Sequence, residues 1–151
     1  MNNIARSIVT MGPIGYMPAP GTWATVSGVV LFYGLMGVTH SLIVYTVCML
    51  TLMYGGWHAI RMALPMFASH DPRQIVIDEL VGYMVALWAV PFSWPTIVVS
   101  VGLFRFLDIV KPCGIKQCEK ISGATGIMLD DLVAGLVTNL IMHIGLYIGL
   151  L

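Results

Sequence analysis

Three long stretches of the chain contain no Asp, Glu, Lys or Arg: Ser7 to Ile60, Leu80 to Phe104 and Leu132 to Leu151. Charge is confined to Arg6, a block from Arg61 to Glu79, and a block from Arg105 to Asp131. The apolar runs are long and lack period-2 alternation, so they predict helices rather than strands. The first stretch is too long for one helix. Between Met11 and Gly21 stand Gly12, Pro13, Gly15, Pro18, Pro20 and Gly21, a density of breakers that precludes a regular helix and argues against a signal peptide. Ile8 to Gly21 is therefore expected to be an irregular or re-entrant segment, its backbone satisfied by protein or water. Helices are expected over about Trp23–Val38, Ser41–Trp57, Ile75–Val90, Thr96–Val110 and Leu132–Leu151, with short turns at Val38–Ser41 and Pro91–Pro95. The expected fold class is all-α: one domain, a polytopic helical membrane protein with about five membrane-embedded helices. Several of these helices fall short of the roughly 20 residues that a span usually needs.

Composition strengthens this picture. Apolar residues make up 58% of the 151, and charged residues only 9%, against roughly 25% in a soluble domain. Mean hydropathy is +0.91, so a soluble globule and a disordered chain are both excluded. Seven basic and seven acidic residues balance and leave no basic surface for nucleic acid. Two helical hairpins would return Arg6 and both charged blocks to one face. All seven cations then lie on that face and none on the other, which by the positive-inside rule makes it cytoplasmic. Trp23 and Trp57 near that face, and Trp88 and Trp94 near the other, fit interfacial belts. Cys113 and Cys118 would be cytoplasmic, where no disulfide is expected. Nothing in the sequence assigns an oligomeric state.

Five of the seven acids stand at the edges of apolar helices: Asp78, Glu79, Asp108, Asp130 and Asp131. A carboxylate at membrane depth costs roughly 2.5–3.5 kcal/mol on insertion scales and needs a partner or a cation. Asp78-Glu79 is followed by Gly82, and Asp130-Asp131 by Ala134-Gly135. Each small residue lies one turn beyond an acid on the same face, and small residues let membrane helices approach closely. The third and last helices are expected to cross there and gather four carboxylates around one point. Oxygen ligands at that density suit a hard divalent cation, Mg²⁺ first; simple pairing with Arg and Lys is the plainer alternative. Arg105, Asp108 and Lys111 follow one another at i, i+3 spacing, which fits either an ion-pair ladder or a phosphate clamp. Thr22 reads as an N-cap that could also meet an anion. His70, beside Asp71 in a polar loop, is either a general acid–base or simply solvated. Gly123-Ala124-Thr125-Gly126 reads as a flexible loop.

Four segments together are diagnostic: Pro20-Gly21-Thr22, H-D-P-R-Q-I-V-I-D-E-L-V-G from His70 to Gly82, F-R-F-L-D-I-V-K-P from Phe104 to Pro112, and G-I-M-L-D-D-L-V-A-G from Gly126 to Gly135. In this order and spacing they closely resemble the phosphatidylglycerophosphatase A family. The resemblance implies an all-helical, multi-pass enzyme of the bacterial cytoplasmic (inner) membrane. It implies Mg²⁺-dependent hydrolysis of phosphatidylglycerophosphate, a phospholipid, to phosphatidylglycerol and phosphate, with the active site on the cytoplasmic face of the lipid bilayer. By position it carries over Thr22, His70, Asp71, Asp78, Glu79, Arg105, Asp108, Lys111, Asp130 and Asp131. Arg73 lies within the second motif without a counterpart.

On this basis Asp78, Glu79, Asp108, Asp130 and Asp131 are the metal-ligand candidates. Thr22, His70, Arg105 and Lys111 are the phosphate-binding candidates, and Asp71, Asp78, Glu79 and Asp131 the catalytic ones. The cation would polarise the phosphoryl group and activate water, with Asp71 accepting the proton; attack by an Asp to form an aspartyl-phosphate is the other route. Cysteine-phosphatase, D-x-D-x-T and K-x6-R-P signatures are absent from the sequence. A small ion-binding or transport protein remains the alternative, because intramembrane acids also mark ion paths.

Overall fold

The computed structural model describes residues 2–69, 72–112, 114–118 and 121–151. These form seven helices and two 3₁₀ turns, with no strand among the described residues. The helices are α1 (Asn2–Val9), α2 (Pro20–Thr39), α3 (Leu42–Ala63), α4 (Ile77–Ala86), α5 (Trp94–Val110), α6 (Ile115–Cys118) and α7 (Ala124–Tyr147).

Local chemistry sets most boundaries. Pro20 occupies the first turn of α2, where its missing N–H has no intrahelical partner to lose. α3 starts at Ser41, whose hydroxyl accepts from the Val44 amide. α5 starts with a capping box between Ser93 and Thr96, which satisfies two orphan donors reciprocally. Gly123, at φ 82°, precedes α7.

The observed elements depart from the sequence pattern in several ways: besides an unexpected short α6, α3 runs on to Ala63 and α4 stops at Ala86. α1 is a helix where none was expected. Its Ala5 and Val9 are buried against α3, and the irregular segment shrinks to residues 10–19, interrupted by a 3₁₀ turn at Ile14–Tyr16. α7 begins at Ala124, eight residues before Leu132, with Gly123 in the N-cap position; the expected flexible loop forms its start. Finally, three segments are long and apolar enough to cross a membrane among the described residues: Pro20–Thr39, Leu42–Met66 and Ala124–Tyr147. α4, at 10 residues, is only about 15 Å long, and α5 has 17 residues. By length and composition the five expected spans are therefore not reached; α4 and α5 form a hairpin among three longer helices.

The three long helices turn apolar stripes outward. Val26, Val30 and Tyr33 on α2, Ile43, Val47, Leu50 and Tyr54 on α3, and Leu136, Leu140 and Ile144 on α7 are all exposed. Recurrence at three and four residues puts each set on one helix face, and unbroken apolar faces of this extent suit lipid rather than water.

α4 is the centre of the bundle: every residue of it except Glu79 is buried. A short helix ending inside an apolar bundle leaves carbonyls without intrahelical partners, and no water would be at hand to satisfy them. Side chains do so instead. Tyr45 on α3 donates its hydroxyl to the Met84 carbonyl at 2.7 Å. The Asn139 amide on α7 donates to the carbonyls of Ala86 at 3.1 Å and Trp88 at 2.7 Å.

α4 and α7 meet backbone to backbone. A Cβ added at Gly135 would overlap the Gly82 carbonyl oxygen, and one added at Gly82 would lie 2.6 Å from the Asp131 carbonyl oxygen. This is the crossing that the paired small residues predicted, and it sets the relative depth of the acids on the two helices.

Asn139→Ala should remove the donor to both carbonyls and leave the part-buried Ala86 carbonyl unpaired, a cost of about 1–3 kcal/mol. The expected outcome is a lower midpoint of thermal unfolding in detergent, followed by circular dichroism, with helix content at low temperature unchanged.

Candidate metal and phosphate site

Where α2 and α4 begin, α5 ends and α7 completes its second turn, the chain encloses a cavity of about 230 Å³. Asp78, Glu79, Asp108, Asp130 and Asp131 line it, together with the cations Arg73, Arg105 and Lys111. Backbone from Ala19 to Gly21 forms one wall, and Pro72, Ile75 and Ile127 supply apolar surface.

Asp78 and Glu79 occupy the first turn of α4, where a helix N-terminus favours negative charge. Asp131 faces them from α7, held at that depth by the glycine crossing. One carboxylate oxygen from each of Asp78, Glu79 and Asp131 lies within 4.8 Å of the other two. Asp78 and Asp131 are only 6% and 4% exposed. Asp78 Oδ1, Glu79 Oε2 and Asp131 Oδ1 are buried with no hydrogen-bond partner among the described residues. Three clustered carboxylates, each with a buried oxygen that has no partner among the described residues, suit a hard divalent cation, so the residues present fit such an ion.

Asp108 and Asp130 line the same cavity but are engaged by cations. Arg105 Nη1 donates to Asp108 Oδ2 at 2.6 Å and lies 4.0 Å from Glu79 Oε1. Lys111 Nζ donates to Asp130 Oδ2 at 2.5 Å. The ladder suggested by i, i+3 spacing is thus half formed. α5 stops at Val110, and Lys111 adopts a left-handed conformation at φ 49° as its C-cap, which takes it off the helix and across to α7. The fourth carboxylate expected beside the trio, Asp130, meets Lys111 instead.

Burial pushes Asp78, on the helix too short to span, well above the usual carboxylate range, and the adjacent Glu79 adds to the effect. Burial likewise pushes Glu79 up to about 7, although Arg105 opposes the shift. Crowded, buried carboxylates favour the protonated form.

The α2 terminus packs directly on this cluster. A Cβ at Gly21 would overlap Glu79 Oε1 and lie 2.8 Å from Arg105 Nη1, so glycine lets these side-chain tips close against the helix start without shifting. Ala19, at φ 51° and ψ 59°, takes the cap position that the sequence suggested for Thr22. Thr22 is an exposed residue of the first helical turn and does not line the cavity. His70 and Asp71 lie outside the described residues, as does Cys113; Pro72 and Arg73, which follow His70 and Asp71 in the chain, reach the cavity. Sequence reasoning overlooked Arg73 as a site residue and Gly21 as a packing one. A cation two residues beyond His70-Asp71 was the available signal for Arg73; the role of Gly21 depends on contacts with α4 and α5 that have no local trace.

Known proteins share this arrangement of sequence. The family model for phosphatidylglycerophosphatase A matches residues 7–146. Phosphatidylglycerophosphatase A of Haemophilus influenzae is 33% identical over 93% of each chain. The Escherichia coli protein of the same name is 32% identical over 82% of this chain and 72% of its own. A putative phosphatidylinositol-3-phosphatase of Bacteroides thetaiotaomicron is 31% identical over 89% of this chain and 88% of its own. No solved structure gives a significant match. With a family match over residues 7–146 and a relative 33% identical over 93% of each chain, the chain belongs to the phosphatidylglycerophosphatase A family.

Proposed function

We infer that the protein removes the terminal phosphate of phosphatidylglycerophosphate, giving phosphatidylglycerol and inorganic phosphate, in a Mg²⁺-dependent reaction at the cytoplasmic face of a bacterial inner membrane. The observation that carries the chemistry is the trio Asp78, Glu79 and Asp131, with three orphaned oxygens converging in one cavity. The substrate assignment rests on family membership. The orientation is supported by the seven cations. Neither the His40–Ser41 turn, the Leu87–Ser93 connection nor the C-terminal end of α7 carries Lys or Arg, as expected of the outer side.

Asp78, Glu79 and Asp131 would hold Mg²⁺, which when bound supplies a Lewis acid for the phosphoryl group and lowers the pKa of water. Arg105 lies beside the trio, and Lys111 lines the same cavity. Both present charge to phosphoryl oxygens, where fixed cations stabilise the negative charge of the transition state. Asp108 and Asp130 orient these two cations by direct ion pairs. Asp71 is the proposed proton acceptor and His70 a proposed phosphate contact. Three long apolar helices keep the cavity at the membrane, within reach of a lipid headgroup.

Purified protein in detergent should release phosphate from phosphatidylglycerophosphate with Mg²⁺ and lose that activity in EDTA; undiminished turnover in EDTA would refute the metal role. Phosphatidylinositol 3-phosphate is the competing substrate to assay beside it, given the name of the Bacteroides relative. Asp131→Asn and Glu79→Gln should each lower kcat about 100-fold or more at unchanged thermal midpoint.

Protonated Glu79 competes with the metal. Because its carboxyl sits at about 7 without one, Mg²⁺ affinity should weaken as pH falls from 8 to 6. Calorimetric titration at the two pH values reads this directly, and equal affinities would contradict it.

A further inference from the structure

Charge bookkeeping around the cavity leaves one group over. Arg105 is paired with Asp108, and Lys111 with Asp130. The trio of acids is the proposed cation-binding set. Arg73, the third lining cation, has no carboxylate partner among the described residues. It is exposed, so it stands at the cavity mouth, whereas Asp78 and Asp131 are buried in its depth.

We propose that Arg73 binds the phosphodiester of the lipid headgroup and so selects substrates that carry a second anionic group beyond the phosphate being cleaved. The inference rests on the functional reading above. A phosphomonoester held against the buried acids must leave the rest of its headgroup in the mouth. On phosphatidylglycerophosphate, the next charged group along the headgroup is the diester phosphate that joins it to diacylglycerol. A guanidinium is suited to that partner, because its planar donors match two phosphate oxygens at once. Its position is also economical: an exposed side chain gives up its solvation only when substrate arrives, and no internal ion pair has to break.

Arg73 is therefore a binding residue outside the chemical step, and the test separates the two phosphates. Arg73→Ala and Arg73→Lys are compared with the unmodified protein on phosphatidylglycerophosphate in mixed micelles with Mg²⁺. Phosphatidic acid, a lipid phosphomonoester with no diester, is measured in parallel as a competitive inhibitor. Arg73→Ala should raise KM for phosphatidylglycerophosphate about 10-fold while kcat changes less than about twofold. Its inhibition constant for phosphatidic acid should stay near that of the unmodified protein, and Arg73→Lys should recover most of the lost KM.

An unchanged KM in Arg73→Ala overturns the proposal. So does an equal weakening of phosphatidic acid binding, which would assign Arg73 to the cleaved phosphate or to long-range attraction. An unmodified protein inactive on phosphatidylglycerophosphate would overturn the functional reading, and this inference with it; activity in that protein together with an indifferent Arg73→Ala would sink this inference alone.

Discussion

The contact between the backbones of Gly82 and Gly135 is the constraint on which the rest depends. α4 carries two acids in its first turn, and α7 carries Asp131 one turn before its own glycine. Only when the two helices touch without intervening side chains do those carboxylates reach one another. In a bilayer there is little hydrophobic drive between helices, so close packing and hydrogen bonds must supply the association. Glycine makes close packing available at the level where the acids need it. A Cβ on either residue would push against peptide backbone, which cannot yield as a side-chain tip can.

The second constraint is polar satisfaction around a short helix. α4 ends within the bundle, and Tyr45 and Asn139 donate to the carbonyls of Met84, Ala86 and Trp88 at and just beyond its end. Those side chains come from α3 and α7, so the same contacts that cap α4 also fix its height. At the opposite end, Asp78 Oδ1 and Glu79 Oε2 have no hydrogen-bond partner among the described residues, and only Glu79 Oε1 lies near a cation, Arg105, at 4.0 Å. One end of the helix is therefore closed by the protein itself and the other is left open to a ligand. That asymmetry is what distinguishes a structural polar cluster from a site.

Much of this was legible in the sequence because the relevant signals were local. Charge-free stretches located the apolar helices, and acids one turn before Gly82 and Gly135 located their crossing. What the sequence could not carry was set by tertiary contact or by a single backbone choice. Helix α1 is eight residues long and contains Asn and Ser; it is held by burial of Ala5 and Val9, which leaves no long periodic trace. The early start of α7 turns on Gly123 rather than on the acids. Lys111 was grouped with Asp108 by spacing, yet one residue in the left-handed region redirects it to Asp130. Thr22 looks like a cap by residue type, and the positive φ of Ala19 moves the cap upstream.

The charge pattern of the cavity follows from these placements. Five carboxylates in so small a space would repel one another if all were ionised and unpaired. Two are neutralised by Arg105 and Lys111, whose own donors are thereby held toward the cavity instead of drifting to solvent. The remaining three share one region, where a divalent ion would reduce their net charge to a single unit. Among the described residues, Arg73 is then the lining cation without a carboxylate partner, the group to which we assign an incoming anion. A phosphorylated lipid approaching this mouth meets a positive group first, and it meets the acids only after they are compensated. Without that order, a cavity lined by carboxylates would repel the phosphorylated lipid proposed to enter it.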